Sequence, residues 1–212
     1  MNSKQTSPWN EIPLEDYEKH MSHNSVGQLE VLNLLTKKYL NRIKPKTCLF
    51  LGIAGGNGLE NIDNRITKKV IGIDINQSYL DKARERYAEI ITSLELINFD
   101  ITTNTSVFCK ADFIWAGLVL EYTGIDKSLE FSINNLQREG NLIISIQSNN
   151  GVQSVSQSGI ESVQKVGAIF QLIDSDVLIA KAIETGLKLI ENEESFLPNG
   201  KSLKTFHFTL MK

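Results

Sequence analysis

Short apolar runs alternate with amphipathic stretches along most of the chain. Residues 47–53 ("TCLFLGI"), 68–75 ("KKVIGIDI"), 93–101 ("SLELINFDI"), 112–120 ("DFIWAGLVL") and 140–148 ("GNLIISIQS") are strongly apolar. Runs of this length and density belong to strands buried on both faces, as in parallel sheets covered by helices. Between them, helices are predicted over 59–66, 77–91 and 125–136. In the second of these, Leu80, Ala83, Tyr87, Ile90 and Ile91 fall at helical spacing. Strands separated by helices form βαβ units, and a doubly wound parallel sheet is their natural product.

The two ends differ from this middle. In "VGQLEVLNLLTKKYL", Val26, Leu29, Leu32, Leu35 and Leu40 fit an amphipathic helix ahead of the first strand. Residues 147–164 are rich in Ser, Gln and Asn and read as a long loop or an excursion over the strand ends. "DSDVLIAKAIETG" reads as a helix capped by Asp174 or Ser175 and stopped by Gly186. The last two runs alternate and are joined by Pro198-Asn199-Gly200, a hairpin signal. The expected fold is therefore α/β. It has a mostly parallel, seven-stranded, doubly wound sheet with an antiparallel last strand and helices on both faces. Residues 1–44 are expected to form an N-terminal helical cap, and residues 45–212 the domain proper.

Composition narrows the setting. The chain has 212 residues, 41% of them hydrophobic, and 22 basic against 25 acidic residues leave a formal charge of −3. No basic run is present, so nucleic acid is not an expected partner. No apolar run reaches transmembrane length, and residues 1–21 lack the apolar core of a secretory signal, so no membrane is expected. Cys48 and Cys109 lie in or beside apolar stretches and read as buried free thiols. A soluble protein in a reducing, cytoplasmic setting is expected. Oligomeric state is not legible.

The chemistry concentrates in "CLFLGIAGGNGLENI", where the first strand meets four glycines at 52, 55, 56 and 58. Ligands of open α/β sheets bind outside the carboxyl ends of the strands. Glycines there let a ligand touch main chain, and a helix starting near Gly58 would aim free N–H groups at it. A dinucleotide fingerprint needs glycines at its first, third and sixth positions. The two registers read Gly52, Ala54, Asn57 and Gly56, Gly58, Asn61, and neither is complete. Asp74 closes "VIGID", 22 residues beyond Gly52. A carboxylate there can accept both hydroxyl protons of a ribose; it can also cap the helix that follows, although Asn76 or Ser78 would cap equally well. Asp100, in "NFDI", ends the third strand and is either a ligand contact or an ordinary loop aspartate.

"LFLGIAGGNG", "VIGIDIN", "INFD", "ADFIWAGLVLEY" and "GNLIISI" together, in this order, resemble the motif series of class I S-adenosylmethionine (SAM)-dependent methyltransferases. The resemblance covers residues 47–148 directly, and the late helix and hairpin suit that fold, whose seventh strand is antiparallel and inserted between the fifth and the sixth. It implies an enzyme that transfers a methyl group from SAM to a small-molecule acceptor. Gly52, Ile53, Ala54 and Gly56 would wrap the methionine moiety. Asp74 would hold the ribose and Asp100 the adenine amine, with Ile75 and Ile101 against the ring. Ala116, Gly117 and Leu118 would pass beside the transferring methyl. The sequence departs from the family at Phe50, where an acid is usual, and at Ala54, where the middle glycine stands. It departs again at Tyr122, often a histidine, and at Glu139-Gly140-Asn141 in place of a Pro-Gly-Gly. A SAM-binding protein without catalysis stays open as a second reading, and an NAD-dependent oxidoreductase as a third. "WAGL" lacks the Pro-Pro motif of relatives that methylate adenine or amide nitrogens.

Methyl transfer is an in-line displacement that needs alignment more than a named catalytic residue, and none is advertised. Tyr17, His20 and Met21, in "DYEKHM", are candidates for a lid that faces the acceptor. Glu121 and Tyr122, after the fourth strand, are candidates to reach it. His20 reads more readily as a half-exposed surface residue. Gln164 and Lys165 are further substrate candidates. His20 and His23 share a helical face, but no further ligands stand out, and no metal site is expected. His207 alternates within the last strand and is expected on its solvent face.

Overall fold

The structure, a computed structural model, describes residues 7–152, 156 and 158–211. Residues 1–6 of the expected cap, and 153–155 and 157 of the expected polar excursion, lie outside the described residues. A 3-10 turn at Pro8–Asn10 leads into α1 (Leu14–Ser22) and α2 (Gln28–Ile43). Then follow β1 (Thr47–Leu51), β2 (Lys69–Asp74), α3 (Gln77–Tyr87), β3 (Leu94–Asn98) and β4 (Ala111–Gly117). The rest is α4 (Leu120–Thr123), α5 (Ile125–Asn135), β5 (Leu136–Ser148), α6 (Glu161–Gln164), α7 (Ser175–Glu184), β6 (Leu187–Phe196) and β7 (Ser202–Leu210).

Seven strands form one sheet in the order β3-β2-β1-β4-β5-β7-β6. Pairs among β1 to β5 are parallel, and β7 runs antiparallel to both of its neighbours. The last strand therefore inserts between the fifth and the sixth, and β6 forms an edge. This is the doubly wound, mostly parallel sheet that the alternation predicts. Two apolar layers explain the continuous runs. On one face Leu49, Ile71, Ile114 and Ile144 pack with Leu129 of α5 and Leu178 of α7. On the other, Phe50, Phe113 and Ile143 pack with Leu35 and Tyr39 of α2 and Leu80 of α3. No described helix is long and apolar enough to cross a membrane.

Caps fall where short polar side chains supply them. Asn76 caps α3, accepting from Ser78 and Tyr79 N–H; Asp174 caps α7, accepting from Asp176 and Val177. The helix predicted over 59–66 does not form. After Gly58, at φ +97°, the chain makes one 3-10 turn at Leu59–Asn61 and turns extended at Ile62. The residues there explain it. Asn57 accepts from Asn33 of α2 at 3.1 Å and donates to the Leu29 carbonyl at 3.0 Å, and Asp63 accepts from Arg65 N at 2.9 Å. Asn and Asp side chains that bond nearby backbone and neighbouring elements compete with helix formation. Helix α3 also stops short of 91: Asn64 donates to the Ile90 carbonyl at 2.8 Å, and Ile90 stays 60% exposed.

His207 is not on a solvent face. Helix α2 covers this face of β7, so the ring is buried, edge-on to Tyr39 with centroids 5.8 Å apart, with Nδ1 2.9 Å from Arg42 Nη2 and Nε2 2.8 Å from Asn141 Oδ1.

Candidate functional site

The carboxyl ends of β1, β2 and β4 open on a cleft of about 260 Å³. The turn after β1 contributes Gly52 and Ala54, the end of β2 contributes Asp74 and Ile75, and β3's continuation contributes Phe99, Asp100 and Ile101. From beyond β4 come Gly117, Leu118, Val119 and Tyr122. The N-terminal segment adds Trp9 and Tyr17.

Asp74 joins the turn to the sheet. Its Oδ2 accepts from Ala54 N at 2.9 Å and its Oδ1 from Asn76 N at 2.9 Å. Burial pushes this carboxyl upward, and the hydrogen bonds from Asn76 and Ala54 oppose that push. A carboxylate has about four lone-pair sites, so two amide bonds leave room for further donors. Asp100 lies exposed at the cleft, its Oδ1 accepting from Thr102 N at 2.9 Å and from Thr102 Oγ1 at 2.7 Å.

The glycines serve the chain's own packing more than the cleft. A Cβ on Gly55 would stand 2.8 Å from Leu14 Cδ2 and 2.5 Å from Glu18 Oε1. One on Gly56 would meet the Tyr87 ring at 2.6 Å, and one on Gly58 the Thr36 side chain at 2.9 Å. These three positions let α1, α3 and α2 close on the turn. Only Gly52, among the four, lines the cleft. Of the residues expected at the ligand, Ile53, Gly56 and Ala116 do not line it. Ile53 lies in the layer of apolar side chains with α2 and α3, and Ala116 in the opposite layer. The single 3-10 turn after Gly58 also supplies no α-helix N-terminus.

Two residues at the cleft hold left-handed backbone without being glycine: Ala54 at φ +47° and Leu118 at φ +57°. That conformation costs an L residue roughly 1–2 kcal/mol, and such strain tends to sit where ligands are clamped. Ala54→Gly is expected to raise the midpoint of thermal unfolding by about 2–4 °C, for a gain near 1 kcal/mol. Calorimetric melting checks this; a fall would mean that the Ala54 methyl packs usefully.

A second, smaller chamber of about 50 Å³ shares Trp9, Tyr17, Leu118 and Tyr122 with the first. His20, Met21 and Glu121 line it, together with Gln28 and Gln147. His20 is buried rather than a surface residue, with Nδ1 2.7 Å from Ser158 Oγ. Burial, with Lys201's charge adding, lowers its pKa to about 4, so the ring is neutral near pH 7. The chain from Ile160 to Ile169 closes this side: Val163 and Val166 pack with Ile12, and Ser162 donates to Asp16 Oδ2 at 2.6 Å. Gln164 and Lys165 are exposed and line neither cavity; Lys165 pairs with Glu11 at 3.2 Å.

Trp9, Tyr79 and Phe99 also line the cleft, and the sequence pattern does not point to them. Trp9 packs edge-on to Tyr17 and Tyr122, with centroids 5.7 and 4.9 Å apart. Its carbonyl accepts from Asn76 Nδ2 at 2.8 Å, and Tyr79 OH donates to the Ile12 carbonyl at 2.9 Å. The one available signal is an isolated tryptophan among polar residues near the N-terminus.

This sheet order is the fold found in several solved SAM-dependent methyltransferases. The N-methyltransferase NodS from Bradyrhizobium japonicum WM9, in complex with S-adenosylhomocysteine (SAH), superposes with a TM-score of 0.63 at 16% identity, over 94% of this chain and 98% of that one. The magnesium protoporphyrin IX methyltransferase ChlM from Synechocystis PCC 6803, with bound SAH, gives 0.69 at 12%, over 95% and 96%. The [4+2]-cyclase SpnF gives 0.63 at 11%, over 84% and 81%. No protein-family model matches the chain, and no curated protein matches it in sequence.

Proposed function

We propose that the protein transfers a methyl group from SAM to a small-molecule acceptor. The observation that carries this is the bond from Ala54 N–H to Asp74 Oδ2 at the open end of the sheet, which brings bared main chain and a carboxylate to one cleft. In this reading Gly52 and Ala54 lie along the methionine moiety, and Asp74 accepts the ribose hydroxyls. Ile75, Phe99 and Ile101 cover the adenine, Asp100 accepts its amine, and Gly117 and Leu118 stand beside the sulfonium. Phe50 provides no acid for the SAM amino group, which then falls to main-chain carbonyls. Residues 1–44 act as a cap on a domain of residues 45–212. SAM supplies an electrophilic methyl on sulfur; the chain supplies alignment and exclusion of water.

The formal charge of −3 without a basic run supports a small acceptor over nucleic acid. The free thiols of Cys48 and Cys109 fit a reducing compartment. NAD fits less well, because a pyrophosphate is bound at a helix N-terminus, and none follows β1.

Titration calorimetry with SAH and with NAD tests the ligand. SAH is expected to bind and NAD to give no saturable heat; the reverse would overturn the reading. Incubation with methyl-labelled SAM and a metabolite extract tests transfer. Label in a small molecule is expected, whereas SAH binding with no transfer would favour a SAM-binding protein without catalysis.

A further inference from the structure

Glu121 is fully buried and lines the second chamber, yet among the described residues its Oε2 has no hydrogen-bond partner. Leaving a buried polar atom unpaired costs about 1–3 kcal/mol, and more when it is charged. The neighbouring polar groups are turned to one another. Glu121 Oε1 accepts from Gln147 N at 2.7 Å, Gln28 Nε2 donates to Gln147 Oε1 at 2.6 Å, and Gln147 Nε2 donates to Asn149 at 2.6 Å. Among the described residues nothing uses Oε2.

The rest of the lining says what would. Trp9, Tyr17, Tyr122 and Phe170 present aromatic surface, which attracts cations. His20 is neutral, and burial raises both Tyr17 and Tyr122 above the ordinary phenol range, keeping them protonated. Lys201, bonded to Ser156 Oγ at 2.9 Å, does not line the chamber. Among the described residues the chamber therefore offers one acid and several π faces, with no cation in its lining. At about 50 Å³ it admits a few heavy atoms.

We propose that this chamber receives the reacting end of the methyl acceptor, that this end is a small primary or secondary amine, and that Glu121 Oε2 takes its proton. The inference rests on the methyl-transfer reading above. The amine enters as an ammonium and passes one proton to the Glu121 carboxylate. The freed nitrogen lone pair forms the C–N bond while the methyl–sulfur bond breaks, its electron pair staying on sulfur. The product leaves as a methylated ammonium, and the Glu121 carboxyl returns its proton to solvent. Burial raises Glu121 to about 7, which lets it hold either state near neutrality. The four residues shared by the two cavities place the amine next to Leu118, beyond β4.

The chain has three methionines, and Met21 lines the chamber, so carbon-13 methyl labelling gives a local reporter. Propylamine and propanol would be titrated at pH 8 into wild type and Glu121→Gln, each with and without SAH. The Met21 resonance is expected to shift with propylamine at least tenfold more readily than with propanol, and to lose that response in Glu121→Gln. Equal responses to both probes, or an unchanged response in the variant, would overturn the inference. SAH affinity in Glu121→Gln should stay within about twofold of wild type. If SAH fails to bind wild type while propylamine still depends on Glu121, the methyl-transfer reading falls and the amine chamber stands. If SAH binds and propylamine does not, the opposite holds.

Discussion

Replacing Asp74 with Asn is expected to weaken SAH binding about 30-fold, on the order of 2 kcal/mol, the scale for hydrogen bonds to a charged acceptor. In the proposed site the Asp74 carboxylate takes two backbone amides and lines the cleft, and a carboxylate has about four lone-pair sites. Asn presents one oxygen and turns an NH₂ toward one of the donors, Ala54 N or Asn76 N. The variant should therefore also melt earlier than wild type, so calorimetric binding is measured below both transitions. Helix capping does not confound the result, since Asn76 caps α3. Unchanged SAH affinity in a folded Asp74→Asn protein would remove this residue from the ligand. Because burial raises the Asp74 carboxyl, SAH binding should also fade as acid protonates it, from a higher pH than for an exposed aspartate.

Glu121→Gln is expected to stabilise the protein at pH 8 by about 3 kcal/mol. Glu121 stands at about 7 in the folded chain against 4.5 for the free side chain, and that gap converts to about 3 kcal/mol. The sign follows from proton counting. Between pH 4.5 and 7 the folded state holds a proton that the unfolded state has released, so this group's contribution falls as pH rises and is lost above pH 7. Gln keeps an oxygen for Gln147 N–H and carries no charge, so the gain should be full at pH 8 and vanish near pH 4. Urea unfolding at the two pH values measures it. A variant less stable than wild type at pH 8 would mean that the folded protein favours the ionised carboxylate. A group that costs stability in the resting fold is what a functional acid looks like.

The sheet was legible because strands buried on both faces write themselves as unbroken apolar runs. The insertion of β7 between β5 and β6 followed from the resemblance, since neither strand encodes its neighbour. Alternation in "KTFHFTL" reads as one wet face, but α2 covers the side of β7 that carries His207. The helix expected over 59–66 failed for a local reason, the polar tethering of residues 57–63. At the site, Asp74 and Asp100 were placed by strand ends, which periodicity locates well. The burial of Glu121 and His20 was not legible. It depends on α1 and the segment from Ile160 to Ile169 meeting over the strand ends, contacts between residues more than a hundred positions apart. The glycine-rich turn reads as room for a ligand, whereas at 55, 56 and 58 it is room for Leu14, Tyr87 and Thr36.

Trp9, Tyr17, Leu118 and Tyr122 belong to both cavities at once. Two occupants that press on one set of side chains cannot be thermodynamically independent. Whatever factor the nucleoside imposes on acceptor affinity, the acceptor must return to the nucleoside. Any preferred order of arrival would then be written in the packing of those four side chains.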